Sequence, residues 1–130
     1  MARPLSTLSR EDKLSRLSST ILFTEFSKSE LLDFYEELEW LCIRGGETLL
    51  RQGEQDQSLY VVLTGRLRVF VIGQDGQEGV VGEVCQGEII GEMAILTGEP
   101  RSASVRAIRD SEVARLTPVA WDRLLEKYPR

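Results

Sequence analysis

The stretch that decides the fold is LYVVLTGRLRVFVIGQDGQEGVVGEVC, residues 59–85. Within it Leu67, Val69 and Val71 alternate with other residues, which is the period of a half-buried β-strand. The Gln-Asp-Gly tip at 74–76 has the residue types of a tight turn, because glycine adopts positive φ at little cost. The stretch therefore predicts short strands joined by a turn.

The same pattern extends in both directions, from Trp40 to Leu116. Short apolar runs alternate there with glycines and turn residues, and no internal repeat or low-complexity linker is visible. The runs cover residues 40–43, 48–50, 59–63, 67–72, 79–84, 103–108 and 112–116. Many short strands at this spacing are typical of an antiparallel sandwich or barrel.

Helices are predicted on both sides of the β region. Ser27 and Glu30 have the spacing of a capping box, in which each side chain satisfies an unpaired backbone amide. Thr117 and Pro118 suit the N-cap and the first position of a last helix. The apolar faces are Leu14, Leu17, Ile21 and Leu22 for the first helix, Leu31, Leu32, Phe34, Tyr35 and Leu38 for the second, and Val119, Leu124 and Leu125 for the last.

The composition limits the classes of function. The chain has 130 residues, 42% of them apolar, and no histidine, so histidine-based catalysis and histidine-ligated zinc are excluded within it. Cys42 and Cys85 are too few for a disulfide framework and fit a reducing compartment. A net charge of −5 argues against nucleic-acid contact by this domain. No apolar stretch has the roughly 18 residues of a transmembrane span, and we predict a cytoplasmic domain.

One segment has the chemistry of a binding site. Gly91 opens a predicted helical turn over 92–96, and the free amides at such a start bind anions. Arg101, with its planar guanidinium, suits a phosphate. The turn at 98–100 reverses the chain, so we expect Glu92 and Arg101 to face one cavity. A carboxylate beside a guanidinium suits a ligand with hydroxyl groups and a phosphate, namely a sugar phosphate or a nucleotide.

Residues 87–105 resemble the phosphate-binding cassette of cyclic nucleotide-binding domains. The resemblance rests on the run Gly91-Glu92-x-Ala94-x-Leu96-x-Gly98-x-Pro100-Arg101-x-Ala103-Ser104-Val105. The resemblance implies a mainly β fold with flanking helices: an antiparallel β-roll (a double-stranded β-helix, jelly-roll-like) with N-terminal helices and one C-terminal helix. It divides a single domain, 1–130, into a helical bundle at 10–38, a β-roll at 39–116 and a helix at 118–128.

The resemblance also implies roles for individual residues. It places the ribose-binding carboxylate at Glu92 and the phosphate-binding arginine at Arg101. Ser102 occupies a position whose hydroxyl can reach the cyclic phosphate or the base. The backbone around the phosphate is assigned to Gly91, Met93, Ala94 and Ala103, the apolar lining to Val69, Val81 and Ile90, and the relay toward the last helix to Ile95.

By the same resemblance, the chain is a regulatory module and not itself an enzyme. We expect it to bind cAMP in preference to cGMP, with no cofactor or metal, and to relay occupancy to a covalently linked effector outside these residues. The expected effector is a bacterial patatin-like phospholipase or a transcription regulator, and a homodimer is left open. Two alternatives stand: a degenerate domain that keeps the roll without nucleotide, and a cupin-like metalloenzyme, for which the sequence offers no carboxylate or thiolate cluster.

Overall fold

Two helices precede the β region and one follows it in the computed structural model, which describes residues 8–20, 26–91 and 97–127. The helices are α1 (Arg10–Ser18), α2 (Lys28–Glu37) and α3 (Pro118–Lys127), and the strands are β1 (Glu39–Ile43), β2 (Thr48–Leu50), β3 (Leu59–Thr64), β4 (Arg66–Ile72), β5 (Glu78–Cys85), β6 (Ile89–Ile90), β7 (Ser104–Ala107) and β8 (Ser111–Leu116). Every predicted apolar run overlaps one of these strands.

The strands form two four-stranded antiparallel sheets. One has the order β1-β8-β3-β6, and the other has the order β2-β7-β4-β5. Val61 faces Ala114 in the first sheet, and Val69 faces Val105 in the second. This arrangement confirms the predicted antiparallel β-roll with flanking helices.

The predicted turn at 74–76 joins β4 to β5. The Gly73 amide donates to the Gln77 carbonyl at 3.0 Å, and the Asp75 carboxylate accepts from the Gln77 amide at 3.0 Å. Gly76 has a φ of +79°, in the left-handed region that glycine adopts without a side-chain clash. The turn chemistry expected from the sequence is therefore confirmed.

Side-chain caps start two of the helices where the sequence predicts them. The Ser27 hydroxyl accepts from the Glu30 amide at 3.2 Å, and the Glu30 carboxylate accepts from the Ser27 amide at 3.1 Å, so the capping box is confirmed. The Thr117 hydroxyl accepts from the Ala120 amide at 3.2 Å and caps α3. Residues 21 and 22 of the first predicted apolar face lie outside the described residues, as does the predicted helix end at 128.

The apolar core has two parts. The first lies where the helices cover the β1-β8-β3-β6 sheet, and it includes Leu17, Phe34, Leu116 and Leu124. The second lies between the two sheets, and it consists of Ile43, Leu50, Tyr60, Val62, Leu67, Ile90, Val105, Ala107 and Val113. The helices in the described part of the chain are too short or too polar to cross a bilayer.

Candidate functional site

A cavity of about 540 Å³ opens at the edge of the core between the sheets. Its volume lies within the range of about 300–1,000 Å³ found for small-molecule sites. One wall is apolar and the other carries the polar groups of the loop before β7. The lining residues are Leu50, Val69, Val84, Ile89, Ile90, Gly91, Thr97, Glu99, Pro100, Arg101, Ser102, Ala103 and Val105.

Arg101 is the buried cation of this cavity, with 5% of its surface exposed. Its backbone is fixed by the loop after β2: its amide donates to the Glu54 carbonyl at 2.8 Å, and its carbonyl accepts from the Gly53 amide at 2.8 Å. Its Nη2 donates to the Ser58 carbonyl at 2.5 Å. These contacts hold the guanidinium in one place at the cavity wall.

Two donor atoms of that guanidinium are left over by the contacts within the described part of the chain. Among the described residues, Nε and Nη1 of Arg101 have no hydrogen-bond partner although both are buried. A buried cation with free donors is costly, and buried polar groups are normally hydrogen-bonded. An anion in the cavity would satisfy both donors with charge-assisted hydrogen bonds.

Gly91 is required at the cavity for a steric reason. Its φ is +84°, which side-chain-bearing residues rarely adopt. A Cβ at this position would overlap Nη1 of Arg101 and lie 2.9 Å from the Ser58 carbonyl oxygen. The absent side chain therefore leaves room for the guanidinium and for close approach of a ligand to the backbone.

Asp56 lies behind Arg101, in a cluster that also contains a second arginine. Its Oδ2 is 3.7 Å from Nη2 of Arg101, and its Oδ1 is 3.5 Å from Nη2 of Arg115. The Tyr60 hydroxyl donates to Oδ2 at 2.9 Å, and the Ser58 amide donates to Oδ1 at 3.0 Å. The carboxylate is thus held by four neighbours.

These contacts change the ionisation of the acid and of the phenol. Burial raises the pKa of the Asp56 carboxyl, but hydrogen bonds from Ser58 and Tyr60 and the charge of Arg115 outweigh it and leave the pKa below its ordinary value. Burial, with the charge and hydrogen bond of Asp56, raises the pKa of Tyr60 to about 12. Asp56 is consequently an anion and Tyr60 a neutral donor at neutral pH.

The predicted site residues fall into three groups. Gly91, Arg101, Ser102, Ala103, Val69 and Ile90 all line the cavity. Ser102 is exposed, whereas Ile90 is buried. The second group lies outside the described residues and consists of Glu92, Met93, Ala94 and Ile95.

Val81 forms the third group, because the structure does not place it at the cavity. The pairing of β4 with β5 shifts between Val69, which faces Gly82, and Phe70, which faces Val80. Val81 is the extra residue of this β-bulge and is 65% exposed. The expectation that Val81 lines the pocket is corrected: Val84, on the other side of the bulge, lines it instead.

Sequence patterns did not identify several residues of the site. Leu50 and Val105 line the apolar wall, and period-2 alternation would have found them once the strand register was known. Asp56 and Ser58 carried no signal, because they lie in a polar loop whose proximity to Arg101 depends on the tertiary fold. No metal-binding group of three or more acidic, cysteine or histidine side chains occurs within the residues that the structure describes.

Comparison with known sequences gives a family match and relatives of much greater length. The sequence model of the cyclic nucleotide-binding domain matches residues 41–128. Lysophospholipase nte1 of Aspergillus terreus is 34% identical over 126 residues, covering 97% of this chain and 8% of that protein. Patatin-like phospholipase domain-containing protein 7 of Rattus norvegicus is 32% identical over 121 residues, covering 93% and 9%. The chain thus spans less than a tenth of these fungal and mammalian relatives, and the expected bacterial source stays a prediction.

Solved structures give the same fold. The catabolite activator protein of Thermus thermophilus aligns with a TM-score of 0.77 and 30% identity over 83% of this chain and 51% of that chain. The regulatory domain of Toxoplasma gondii PKA, crystallised with cAMP, gives 0.79 and 26% over 88% and 43%. A regulatory subunit of a cAMP-independent protein kinase A from Trypanosoma cruzi, bound to guanosine, gives 0.80 and 26% over 90% and 41%.

Proposed function

The chain belongs to the cyclic nucleotide-binding domain family, and from this premise we propose that it binds cAMP, in preference to cGMP, in the cavity beside Arg101. The observation that carries the proposal is the buried Arg101 guanidinium, whose Nε and Nη1 lack partners among the described residues. A monoanionic phosphodiester supplies the acceptors that these donors need. The cavity is also large enough for a small ligand.

The cavity wall suggests how the ligand lies. The cyclic phosphate faces Arg101 and the backbone at Gly91 and Ala103, where the absence of a bulky side chain permits close approach. The ribose and purine rest on the apolar wall that includes Val69 and Ile90. Burial of apolar ligand surface there contributes about 25 cal/mol per Å².

The remaining predicted contacts are part of the proposal. Glu92 accepts from the ribose 2′-hydroxyl, and the amides of Met93 and Ala94 assist at the phosphate. Ser102 lines the cavity, and in this proposal its hydroxyl contacts the cyclic phosphate or a syn purine. A cAMP-bound relative and a guanosine-bound relative share this fold, so the choice of base must depend on local side chains, of which Ser102 is the first to test.

We propose a regulatory role for this binding. The family is a ligand-binding, regulatory fold and not a catalytic one. Its longer relatives named above are phospholipases, which supports a covalently linked patatin-like phospholipase as the effector of this chain. Occupancy would reach that effector through Ile95 and α3. A ligand shifts such an equilibrium only by its differential affinity for the two states.

The test is a titration of this chain with cAMP, cGMP and 5′-AMP. Binding is measured by calorimetry, and the stabilisation by each ligand is measured by thermal unfolding. At a hundredfold excess over its dissociation constant, cAMP should stabilise the native state by about 2.7 kcal/mol. Arg101→Gln should abolish most of this gain. Arg66→Gln, which removes the charge of a half-exposed arginine paired with Glu83, is the matched control and should keep it.

Two results would contradict the proposal. If millimolar cAMP leaves the melting curve and the calorimetric trace unchanged, the domain is a degenerate module that keeps the roll without nucleotide. If Arg101→Gln and Arg66→Gln weaken binding equally, the ligand does not contact Arg101.

A further inference from the structure

We infer that Arg115 is a positioning residue for the anion site: it engages the Asp56 carboxylate and thereby keeps the Arg101 guanidinium available to the ligand. This inference rests on the proposed function, because it concerns the same cavity. It assigns a binding role to a residue of β8 that does not line the cavity.

The arrangement is a row of alternating charges that leads away from the cavity. Arg101 is followed by Asp56, then by Arg115, whose Nη2 is 3.5 Å from the carboxylate, and then by Glu39. Nη1 of Arg115 donates to Oε1 of Glu39 at 2.9 Å, which anchors the second arginine on β1. Arg115 therefore contacts two carboxylates at once.

Asp56 lies between the two arginines and forms an ion pair with each. Its separation from Nη2 of Arg101, 3.7 Å, is longer than a hydrogen bond, and that Nη2 donates to the Ser58 carbonyl instead. The Asp56 oxygens accept from Tyr60 and Ser58, so the carboxylate is held back from Arg101. In this geometry Nε and Nη1 of Arg101 stay open, among the described residues, toward a ligand.

Removing Arg115 would change that balance. The Asp56 charge would no longer be offset by a cation 3.5 Å away, and its nearest remaining cation would be Arg101. The carboxylate would then compete with the ligand phosphate for the guanidinium. Because Arg101 is 5% exposed, water screens this competition weakly.

A double-mutant cycle tests the inference, with cAMP as the probe in calorimetric titrations of the 130-residue chain. Arg115→Gln should weaken binding by about tenfold, within the range of coupling found for contacting charges. In the Asp56→Asn background the same substitution should change affinity by less than about threefold, because no anion is left to be released. Arg115→Lys should restore most of the affinity, and Arg66→Gln is the matched loss of a cation elsewhere.

Two outcomes would overturn the inference. If Arg115→Gln weakens binding equally in both backgrounds, Arg115 acts only as a distant positive charge. If it weakens binding in neither, Arg115 has no part in the site.

A measurement without ligand separates this inference from the proposed function. The ¹⁵N-detected Nε–H resonance of Arg101 should shift when Arg115→Gln is introduced into the wild type. It should not shift further when Arg115→Gln is added to Asp56→Asn. If that pattern appears and cAMP does not bind the wild-type chain, the proposed function fails and the positioning role of Arg115 holds. If cAMP binds but the resonance is indifferent to Arg115, the positioning role fails alone.

Discussion

Substituting Gly91 with alanine tests whether the cavity is built around the Arg101 guanidinium. The added Cβ would overlap Nη1 of Arg101 and would crowd the Ser58 carbonyl oxygen at 2.9 Å. The guanidinium must then leave the carbonyl to which its Nη2 donates at 2.5 Å. We expect Gly91→Ala to lower both the stability of the domain and its affinity for an anionic ligand.

The size of the effect follows from two contributions. Alanine in the left-handed region costs about 1–2 kcal/mol, because its Cβ approaches the following carbonyl. Loss of a hydrogen bond from a charged donor adds about 1.5–3 kcal/mol. Gly91→Ala should therefore reduce the free energy of unfolding by about 2.5–5 kcal/mol.

A matched control isolates the second contribution. Gly87 has a φ of +88°, close to the +84° of Gly91, but a Cβ there would meet nothing within 4 Å. Gly87→Ala should therefore cost only the backbone strain of about 1–2 kcal/mol. Urea denaturation of both variants and of the wild type measures the difference, and a cAMP titration of each measures binding. Equal losses of unfolding free energy in the two variants, with cAMP binding intact in Gly91→Ala, would show that the position of the Arg101 guanidinium does not depend on the absence of a side chain at Gly91.

Three further predictions concern the residues around this site and the β-roll. Tyr60→Phe should remove a tyrosine ionisation near the raised pKa of about 12 from a spectrophotometric titration. Asp56→Asn should lower the free energy of unfolding at neutral pH. The loss should shrink as the pH falls through the lowered pKa of Asp56, because only the ionised carboxylate stabilises the folded state. Gly65→Ala should destabilise far more than Gly46→Ala, since a Cβ at Gly65 would lie 2.5 Å from the Ser111 Cβ while one at Gly46 meets nothing within 4 Å.

Each of these has a clear contrary result. An unchanged high-pH ionisation in Tyr60→Phe would place the raised pKa on another tyrosine. A stability loss in Asp56→Asn that is constant down to about pH 2, well below the ordinary carboxyl pKa of about 3.9, would mean that the charge of Asp56 is not what stabilises the fold. Equal melting temperatures for Gly65→Ala and Gly46→Ala would contradict the close approach of β8 to the β3–β4 turn.

The sequence was most informative where a local pattern determines a local structure. The alternation after Arg66 and the Gly76 turn gave the β4–β5 hairpin, and the spacing of Ser27 from Glu30 gave the cap of α2. Neither depends on what the rest of the chain does. The cassette spacing likewise led to Arg101, which is the buried cation of the cavity.

The sequence was least informative where a role depends on register or on contacts between distant segments. The resemblance assigned Val81 to the pocket lining, but Val81 is the extra residue of a β-bulge, and neither the resemblance nor the alternation along β5 reveals such a break in the ladder. Asp56 and Arg115 are far apart along the chain and meet only after β3 and β8 have paired. A polar loop residue and a strand arginine carry no signal of that meeting by themselves.

Under the proposed function, the charges of this cluster explain how an acidic domain can hold an anion and which anion it should prefer. The net charge of −5 is spread over the surface, and charges farther than about 8 Å are largely screened at physiological ionic strength. Arg101 places one positive charge at the cavity wall, and behind it the charge of Arg115 is shared between the carboxylates of Asp56 and Glu39. A cyclic phosphodiester carries one negative charge and neutralises that of Arg101. The phosphomonoester of 5′-AMP carries about −1.5 to −2 at pH 7, so the excess charge would face Asp56 at short range. Discrimination against 5′-AMP should therefore weaken in Asp56→Asn, which removes that repulsion, and should persist there only if shape alone selects the ring.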